Sequence, residues 1–355
     1  MIITILFVMF LMFNIRCTYF EPKWFALCSA AAAMLSLMIF RQSSAQFALL
    51  YFYILFQALY HGLHSISRKD FISVQFYAMK SALAVIAFGL TFLFLDLEMI
   101  SSIHKIIPFV LIGNFLYKLL PTKFRMMTAP NGKKDVCQGI GGNYSVDSSL
   151  ISILYAISLG HHQSAWLSAT ELLCVIGSLA YNKASAGLIA FILSSSLYLI
   201  LNGHYMVVVC LFIVSCAIFY KFKKKLMTDC GRFRSWRFMW KHIVKKMNSI
   251  TGIGQGVFRY EMPLQETINE KTEMFGAKNS WFIWSHNDFF QYFIENGCLG
   301  LVLLTVCLLS IVGMPVQFWV IAVSVGVNAA INFPFHLAPE AFLIAMTLKE
   351  YYLGK

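Results

Sequence analysis

Residues 184–202 read ASAGLIAFILSSSLYLILN, a stretch of nineteen residues without a charged side chain. The hydrocarbon core of a bilayer takes about 20 residues of helix, so this stretch has the length and composition of a membrane span. Similar apolar runs lie on both sides of it, at roughly 1–15, 24–40, 46–63, 80–98, 103–120, 148–160, 165–181, 204–220, 297–313, 316–331 and 339–352. The sequence therefore predicts an all-α polytopic membrane protein with about twelve transmembrane helices.

The overall composition agrees with this fold class. Of the 355 residues, 59% are hydrophobic and only 12% are charged, and the mean hydropathy is +0.70. Soluble domains carry about 25% charged residues, so a water-soluble globular protein is excluded. The formal net charge is +12. Because the basic residues lie mostly in loops, where they set topology or meet anionic lipid and phosphate, we predict membrane lipids as partners and no nucleic acid.

The cysteines predict neither a metal site nor a disulfide framework. There are nine of them, and most, such as Cys174 and Cys210, lie inside apolar runs. No CxxC motif and no Cys/His pair has the spacing of metal ligands. We therefore expect no metal and no cofactor.

Two loops are long, 121–147 and 221–296, and the second divides the chain. We predict nine helices in 1–220, one large and partly helical loop in 221–296, and three helices in 297–355. The loop is divided in charge: 221–260 holds eleven Lys or Arg and one acid, whereas 261–296 holds two Lys and six acids. Nine spans from a cytoplasmic start place the loop outside, but the basic run at 221–225 favours the cytoplasm. Either a basic outer loop binds an anionic substrate, or the span count is wrong by one.

The sequence 285–300, SHNDFFQYFIENGCLG, predicts a short helix before a span. Ser285 is a candidate N-cap, Asp288 suits the positive end of the helix dipole, and Gly297 is placed to end the helix. Asn287, Gln291 and Glu295 recur at i, i+4 and i+8, so they form one polar stripe.

His286 is the candidate general base in this segment. It precedes the predicted helix, where the dipole disfavours the imidazolium form. A neutral imidazole at the membrane surface is what proton abstraction requires. The alternative is an amphipathic interfacial helix whose histidine faces lipid headgroups.

Four segments in order resemble the bacterial O-antigen ligase and O-unit polymerase superfamily. The family's hallmark is a His, ten residues and then a Gly, in the large periplasmic loop before a span. The segment from His286 to Gly297, with Gly300 beyond it, resembles this hallmark. Upstream, GRFRSW at 231–236 and GIGQGVF at 252–258 are similar to its G-R-x-x-x-W and G-x-G-x-G-x-F elements. Downstream, NFPFH at 332–336 is similar to its last external turn. A fifth and weaker match is 139–143, which is similar to a Gly/Asn-rich segment of the family. The resemblance covers mainly 220–350 and favours a periplasmic loop.

One position departs from that pattern. Family members usually carry a further arginine at the outer end of a middle span, where this chain reads YNKASAG at 181–187. Lys183 is the only cation there, and an ammonium is a point donor rather than a bidentate fork.

The resemblance implies a fold, a reaction and a location. The fold is GT-C-like, and the location is the bacterial inner membrane, with the active loop in the periplasm. The reaction is an inverting, metal-independent glycosyl transfer from undecaprenyl diphosphate to an acceptor hydroxyl. His286 would act as base and Arg232 would stabilise the departing diphosphate, because guanidinium groups suit that charge. Further candidates for substrate or diphosphate binding are Arg234, Arg237, Arg259, Lys183, Asn287 and Gln291, while Glu295, Gly297 and Gly300 are structural.

Several alternatives remain at this stage. O-antigen ligation to lipid A–core is favoured because the His-x10-Gly pattern is intact, and repeat-unit polymerisation or protein O-oligosaccharyl transfer are the alternatives. Outside the class, a transporter for a lipid-linked anion would show internal repeats, which the sequence lacks. A non-catalytic scaffold would tolerate loss of His286. Glu171, in or near a span, is either functional or exposed at the interface.

Overall fold

A computed structural model describes residues 22–64, 71–128, 134–136, 139, 144–161, 164–182, 185–209, 213, 230–259, 261–262, 285–310, 312–332 and 338–354. The helices are α1 (Pro22–Phe40), α2 (Ala45–His64), α3 (Phe71–Phe94), α4 (Leu97–Leu119), α5 (Tyr144–Ser158), α6 (Ala165–Asn182), α7 (Ser185–Leu201), α8 (Cys230–Met239), α9 (Asp288–Ser310), α10 (Val316–Ile331) and α11 (Ala338–Leu353). A π-helical turn, Trp240–Val244, continues α8.

The helices follow the predicted apolar runs. Most runs that fall within the described residues lie in one of these helices, but the run 80–98 is interrupted at 95–96, between α3 and α4. The run 1–15 and most of 204–220 lie outside the described residues. The loop 121–147 adds a small exception to the all-α prediction. There β1 (Met126–Thr128) pairs antiparallel with β2 (Lys134–Val136), with Met126 opposite Val136.

The predicted count of about twelve spans is not confirmed. Within the described part of the chain, three helices are long and apolar enough to cross a membrane: Tyr77–Phe94 of α3, α4 and α9. The shorter apolar helices include α7 and α10. Helix α7 has 17 residues and α10 has 16, which at 1.5 Å per residue gives about 24–26 Å against a core of about 30 Å. Their ends have local causes, since Gly203 takes a left-handed φ of 80° just after α7 and Pro315 precedes α10.

The chain folds into two compact units that interleave in sequence. Unit 1 comprises Met1–Phe94, Gly231–Ser285 and Phe289–Gly313. Within it, α2 packs against both α1 and α3. Tyr51 of α2 reaches across to α3, where its hydroxyl donates to the carbonyl of Val85 at 2.9 Å. Gly89 is required beside it, because a Cβ at that position would overlap the Tyr51 ring.

Unit 2 comprises Leu95–Cys230, His286–Asp288 and Met314–Lys355. Its central helix is α5, which is buried from Asp147 to Ser158 and packs against α4, α6, α7, α10 and α11. Small residues allow these helices to approach closely. Gly187 of α7 lies so near the backbone of Ser148 that no side chain would fit there. The N-terminus of α4 is capped by Asp96, whose carboxylate accepts from the Met99 N–H at 2.8 Å.

Candidate functional site

His286 lies in a sharp turn directly before α9. Its φ of 54° is the only left-handed value of a non-glycine residue in the described part of the chain. Such a conformation is uncommon for a residue with a side chain and persists where the surroundings enforce it. The side chain is half-buried. The turn also moves the start of the helix to Asp288, so Asp288 lies in the first turn as predicted, whereas the predicted N-cap role of Ser285 is wrong.

Gln291 holds this turn from inside the helix. It is completely buried, and its Oε1 accepts from the backbone N–H of Ser285 at 3.2 Å. Its Nε2 donates to Oε1 of Glu295 at 3.2 Å, and Glu295 is 1% exposed. The predicted i, i+4 pair of Gln291 and Glu295 is therefore present, while Asn287 lies half-buried in the turn before the helix. This geometry makes Gln291 a positioning residue for the backbone next to His286.

Trp236 holds the same turn from α8. Its indole Nε1 donates to the carbonyl of Ser285 at 2.7 Å. On the same helix, Phe238 and Met239 are buried against Phe258 and Ile294. The predicted G-R-x-x-x-W element thus contacts the residue that precedes His286.

The structure describes the side chains of only some of the predicted arginines. Arg237 is exposed and Arg259 is half-buried. Arg232 and Arg234 lie within α8, but their side chains are outside the described part of the structure, as is the whole of Lys183. The role of each in binding a diphosphate stays a prediction.

The glycine-rich element at 252–258 packs into a kink of α9. Gly252, Gly254 and Gly256 all have left-handed φ angles (73°, 110° and 82°), and so does Gly297 at 63°. At Gly297 the helix breaks, as predicted, before it continues as the span. A Cβ on Gly297 would lie 2.6 Å from the Gly252 nitrogen, so both segments need glycine where they cross.

Four backbone hydrogen bonds join this element to α9. The N–H groups at 253 and 254 donate to the carbonyls at 294 and 295, each at 2.9 Å, and those at 298 and 299 donate to the carbonyls at 249 and 250 at 2.8 and 3.0 Å. These bonds satisfy the backbone N–H and C=O groups of α9 that lose their helical partners at the kink. Gly300, the last predicted glycine, lies in the helix, where an added Cβ would overlap the Asn296 Cβ.

A polar network extends from the kink to α2 and α3. Asn296 Nδ2 donates to Gln255 Oε1 at 2.7 Å, and Gln255 Nε2 donates to Ser81 Oγ at 3.2 Å. The Tyr53 hydroxyl donates to the Asn296 carbonyl at 2.9 Å. His61 lies beside Gly254, where it leaves no room for a Cβ. The sequence did not predict this network, although Asn and Gln within apolar surroundings are a signal for one.

Unit 2 holds a second buried polar group, which we call the Lys118 cluster: Asn114, Lys118, Asp147, Ser148 and Asn182. Lys118 and Asp147 form an ion pair in which neither side chain is exposed. Lys118 Nζ donates to Asn182 Oδ1 at 2.7 Å, and Asn182 Nδ2 donates to Asp147 Oδ2 at 2.8 Å and to Ser148 Oγ at 2.9 Å. Charged groups in a membrane protein's interior are costly and mark functional sites by default.

Arg125 lies beside this cluster and was not predicted. It is 3% exposed, its Nη2 donates to the Tyr181 hydroxyl at 2.9 Å, and its Nε donates to the Leu120 carbonyl at 3.0 Å. Its Nη1 is buried and makes no hydrogen bond to the described residues. A guanidinium therefore does contact the 181–187 segment where the resemblance led us to expect one, but it comes from residue 125. An arginine in a loop carries no sequence signal of that contact.

Unit 2 also contains two buried glutamates, Glu340 and Glu171. Glu340, in the first turn of α11, is 0% exposed, and neither carboxylate oxygen accepts a hydrogen bond from another described residue. The carboxylates of Asp147 and Asp288 lie near enough to interact with it electrostatically. Glu171 is 2% exposed and accepts from the Ser158 hydroxyl at 2.9 Å, which excludes the interface-exposed alternative.

No protein-family model, curated protein or solved structure matches the chain. The resemblance to the ligase and polymerase superfamily therefore rests on the quoted residues. Of the NFPFH segment at 332–336, Asn332 alone is described; it is fully buried and donates from Nδ2 to the Ser145 carbonyl at 3.2 Å. His336 lies outside the described residues.

Proposed function

We propose that the chain is an inverting membrane glycosyltransferase that moves a glycan from undecaprenyl diphosphate to an acceptor hydroxyl, in the manner of O-antigen ligases and O-unit polymerases. One observation carries the proposal: two of the predicted elements meet at Ser285, the residue that precedes His286. Trp236 and Gln291 both bond to Ser285, and the turn beginning at Gly252 pairs with the helix that follows His286. A left-handed histidine whose preceding residue is held by two hydrogen bonds is expected of a group that must be positioned for chemistry.

The reaction assigns a role to the base and to the cations. The acceptor oxygen attacks the anomeric carbon as the bond from that carbon to the diphosphate oxygen breaks, which inverts the configuration. His286 takes the proton of the attacking hydroxyl, and the electron pair of the broken bond leaves on the diphosphate. Arg232 neutralises this growing charge, and the proposal requires no metal ion. Loss of the base should lower the rate by about 10²–10⁴-fold.

Arg125 is a further candidate for the anionic donor. It supplies a buried guanidinium that contacts Tyr181. The Nη1 atom of this guanidinium makes no hydrogen bond to the described residues. Lys118 is less suited to this role, since Asp147 already balances its charge. We propose that Arg125, from the loop 121–147, supplies the guanidinium that the 181–187 segment lacks.

The location and acceptor follow from the same proposal. Undecaprenyl diphosphate carries glycans in the bacterial inner membrane, so the chain is a multi-pass protein there with the His286 loop facing the periplasm. We favour lipid A–core as the acceptor, and a growing glycan on its lipid carrier is the alternative. A basic outer loop at 221–260 is then explained by an anionic substrate.

The experiment is the surface glycolipid profile of a strain that lacks the gene, complemented with the wild type, His286→Ala or His204→Ala. His204 is the matched control, because it is an exposed histidine remote in sequence from the proposed site. We expect the wild type and His204→Ala to restore the profile and His286→Ala to fail at equal protein level. In the deletion strain, core without O-chain and polymer stranded on the lipid carrier identifies a ligase, whereas core capped by a single repeat identifies a polymerase.

Two results would contradict the proposal. Full restoration by His286→Ala removes the assignment of the base. A deletion strain with an unchanged profile removes glycosyl transfer to this glycolipid.

A further inference from the structure

Three metal-binding side chains meet in unit 2. His104 comes from α4, His161 follows the C-terminus of α5, and Glu350 lies near the end of α11. Their potential ligand atoms all lie within 4.8 Å of one another. His104 Nε2 is 3.5 Å from Glu350 Oε2, and the centroids of the two imidazole rings are 3.5 Å apart. Since these residues are far apart in sequence, no spacing motif marks them.

His104 is the only buried residue of the three. It is 5% exposed, and its Nε2 makes no hydrogen bond to any described residue. The 3.5 Å to Glu350 is longer than the usual hydrogen bond of about 2.7–3.2 Å. A buried imidazole nitrogen without a partner costs free energy. Zn²⁺ bonds of about 2.0–2.1 Å to nitrogen or oxygen place neighbouring tetrahedral ligand atoms about 3.3 Å apart, close to the spacing of this pair.

The three residues lie away from the Lys118 cluster. His104 precedes Lys118 by fourteen residues on α4, which is about 21 Å along a helix. Likewise, His161 lies beyond the opposite end of α5 from Asp147, and Glu350 lies at the opposite end of α11 from Glu340. His161 is half-buried and the Glu350 side chain is 23% exposed, so an ion can enter from outside.

We propose that His104, His161 and Glu350 bind one divalent transition-metal ion, with Zn²⁺ as the best match. Two imidazoles and one carboxylate are ligands that Zn²⁺ favours, and a water molecule supplies the fourth position. The ion ties α4, the end of α5 and α11 together. This site is separate from glycosyl transfer and takes no part in it.

The test is metal binding by the full chain in detergent. The protein is loaded with Zn²⁺ and dialysed against a weak chelator, and bound zinc per chain is measured by mass spectrometry. We expect one zinc per chain for the wild type. His161→Gln and Glu350→Gln should each weaken binding by about 100-fold or more, since even outer-shell partners of a metal cost about 10–100-fold. Both residues are partly exposed, so these variants should keep the helical circular dichroism and elution volume of the wild type.

His204→Gln is the matched control and should retain zinc like the wild type, because His204 is exposed and lies outside the three-residue group. A wild-type chain that retains no zinc overturns the proposal, and so do His161→Gln and Glu350→Gln chains that retain as much as the wild type. Because metal content is measured without a glycan substrate, this outcome is independent of the glycosyltransferase experiment.

Discussion

Lys118→Met should destabilise the protein more than any exposed lysine substitution. Lys118 and Asp147 form an ion pair with no exposure on either side chain, so the variant leaves a buried carboxylate without its counter-charge. Breaking such a pair costs about 3–5 kcal/mol. Asn182 and Asn114 still donate to Asp147, which places the expected loss near the lower end, at about 3 kcal/mol. That corresponds to a change of more than about 100-fold in the unfolding equilibrium.

The assay is reversible unfolding by SDS in mixed micelles, followed by circular dichroism. Lys123→Met is the control, because Lys123 is exposed a few residues further on and should change the free energy of unfolding by about 0.5 kcal/mol or less. The double variant Lys118→Met/Asp147→Asn removes both charges and should regain most of the loss. A Lys118→Met protein as stable as Lys123→Met would refute the buried ion pair. A double variant no more stable than Lys118→Met would show that the loss does not come from the unpaired charge.

Two further predictions concern the turn at His286 and the kink of α9. Gly297→Ala should lower the free energy of unfolding by about 2 kcal/mol or more in the same SDS titration, since the φ of Gly297 is 63° and a Cβ would overlap the turn at Gly252. The control is Gly313→Ala, which should be neutral because a Cβ there meets nothing within 4 Å. Equal unfolding midpoints for the two variants would contradict the packing at the kink. Trp236→Phe removes one hydrogen bond to Ser285, worth about 0.5–1.5 kcal/mol, and should lower glycan transfer in the complemented strain, unlike the exposed control Trp319→Phe. If Trp236→Phe transferred glycan as well as the wild type, its hydrogen bond from α8 to Ser285 would not be needed for the function.

The positions of the helices could be predicted from the sequence, but the number of spans could not. Apolar runs such as 184–202 and 316–331 are recognisable because hydrophobicity is a local property. Whether a run is long enough to cross a bilayer depends on where its helix ends. Those ends are decided by particular residues, such as the left-handed Gly203 and the N-terminal Pro315.

The turn at His286 was accessible from the sequence only in part. The spacing of Gln291 and Glu295 predicted a shared face, and Gly297 predicted the end of the first helical segment. The hydrogen bonds that join these elements to Ser285 required the fold. They link residues up to 49 positions apart, a separation that no local pattern encodes.

By itself, the sequence determined that the chain is apolar, helical and rich in basic loops, and it marked His286 with its flanking motifs. The tertiary structure alone decided that Lys118 pairs with Asp147, that Arg125 contacts Tyr181, and that His104, His161 and Glu350 lie close together. The physical reason is that hydrophobicity and glycine conformation act within a few residues of the chain. The partner of a buried charge or imidazole is instead chosen by helix packing, which brings together residues from opposite ends of the sequence.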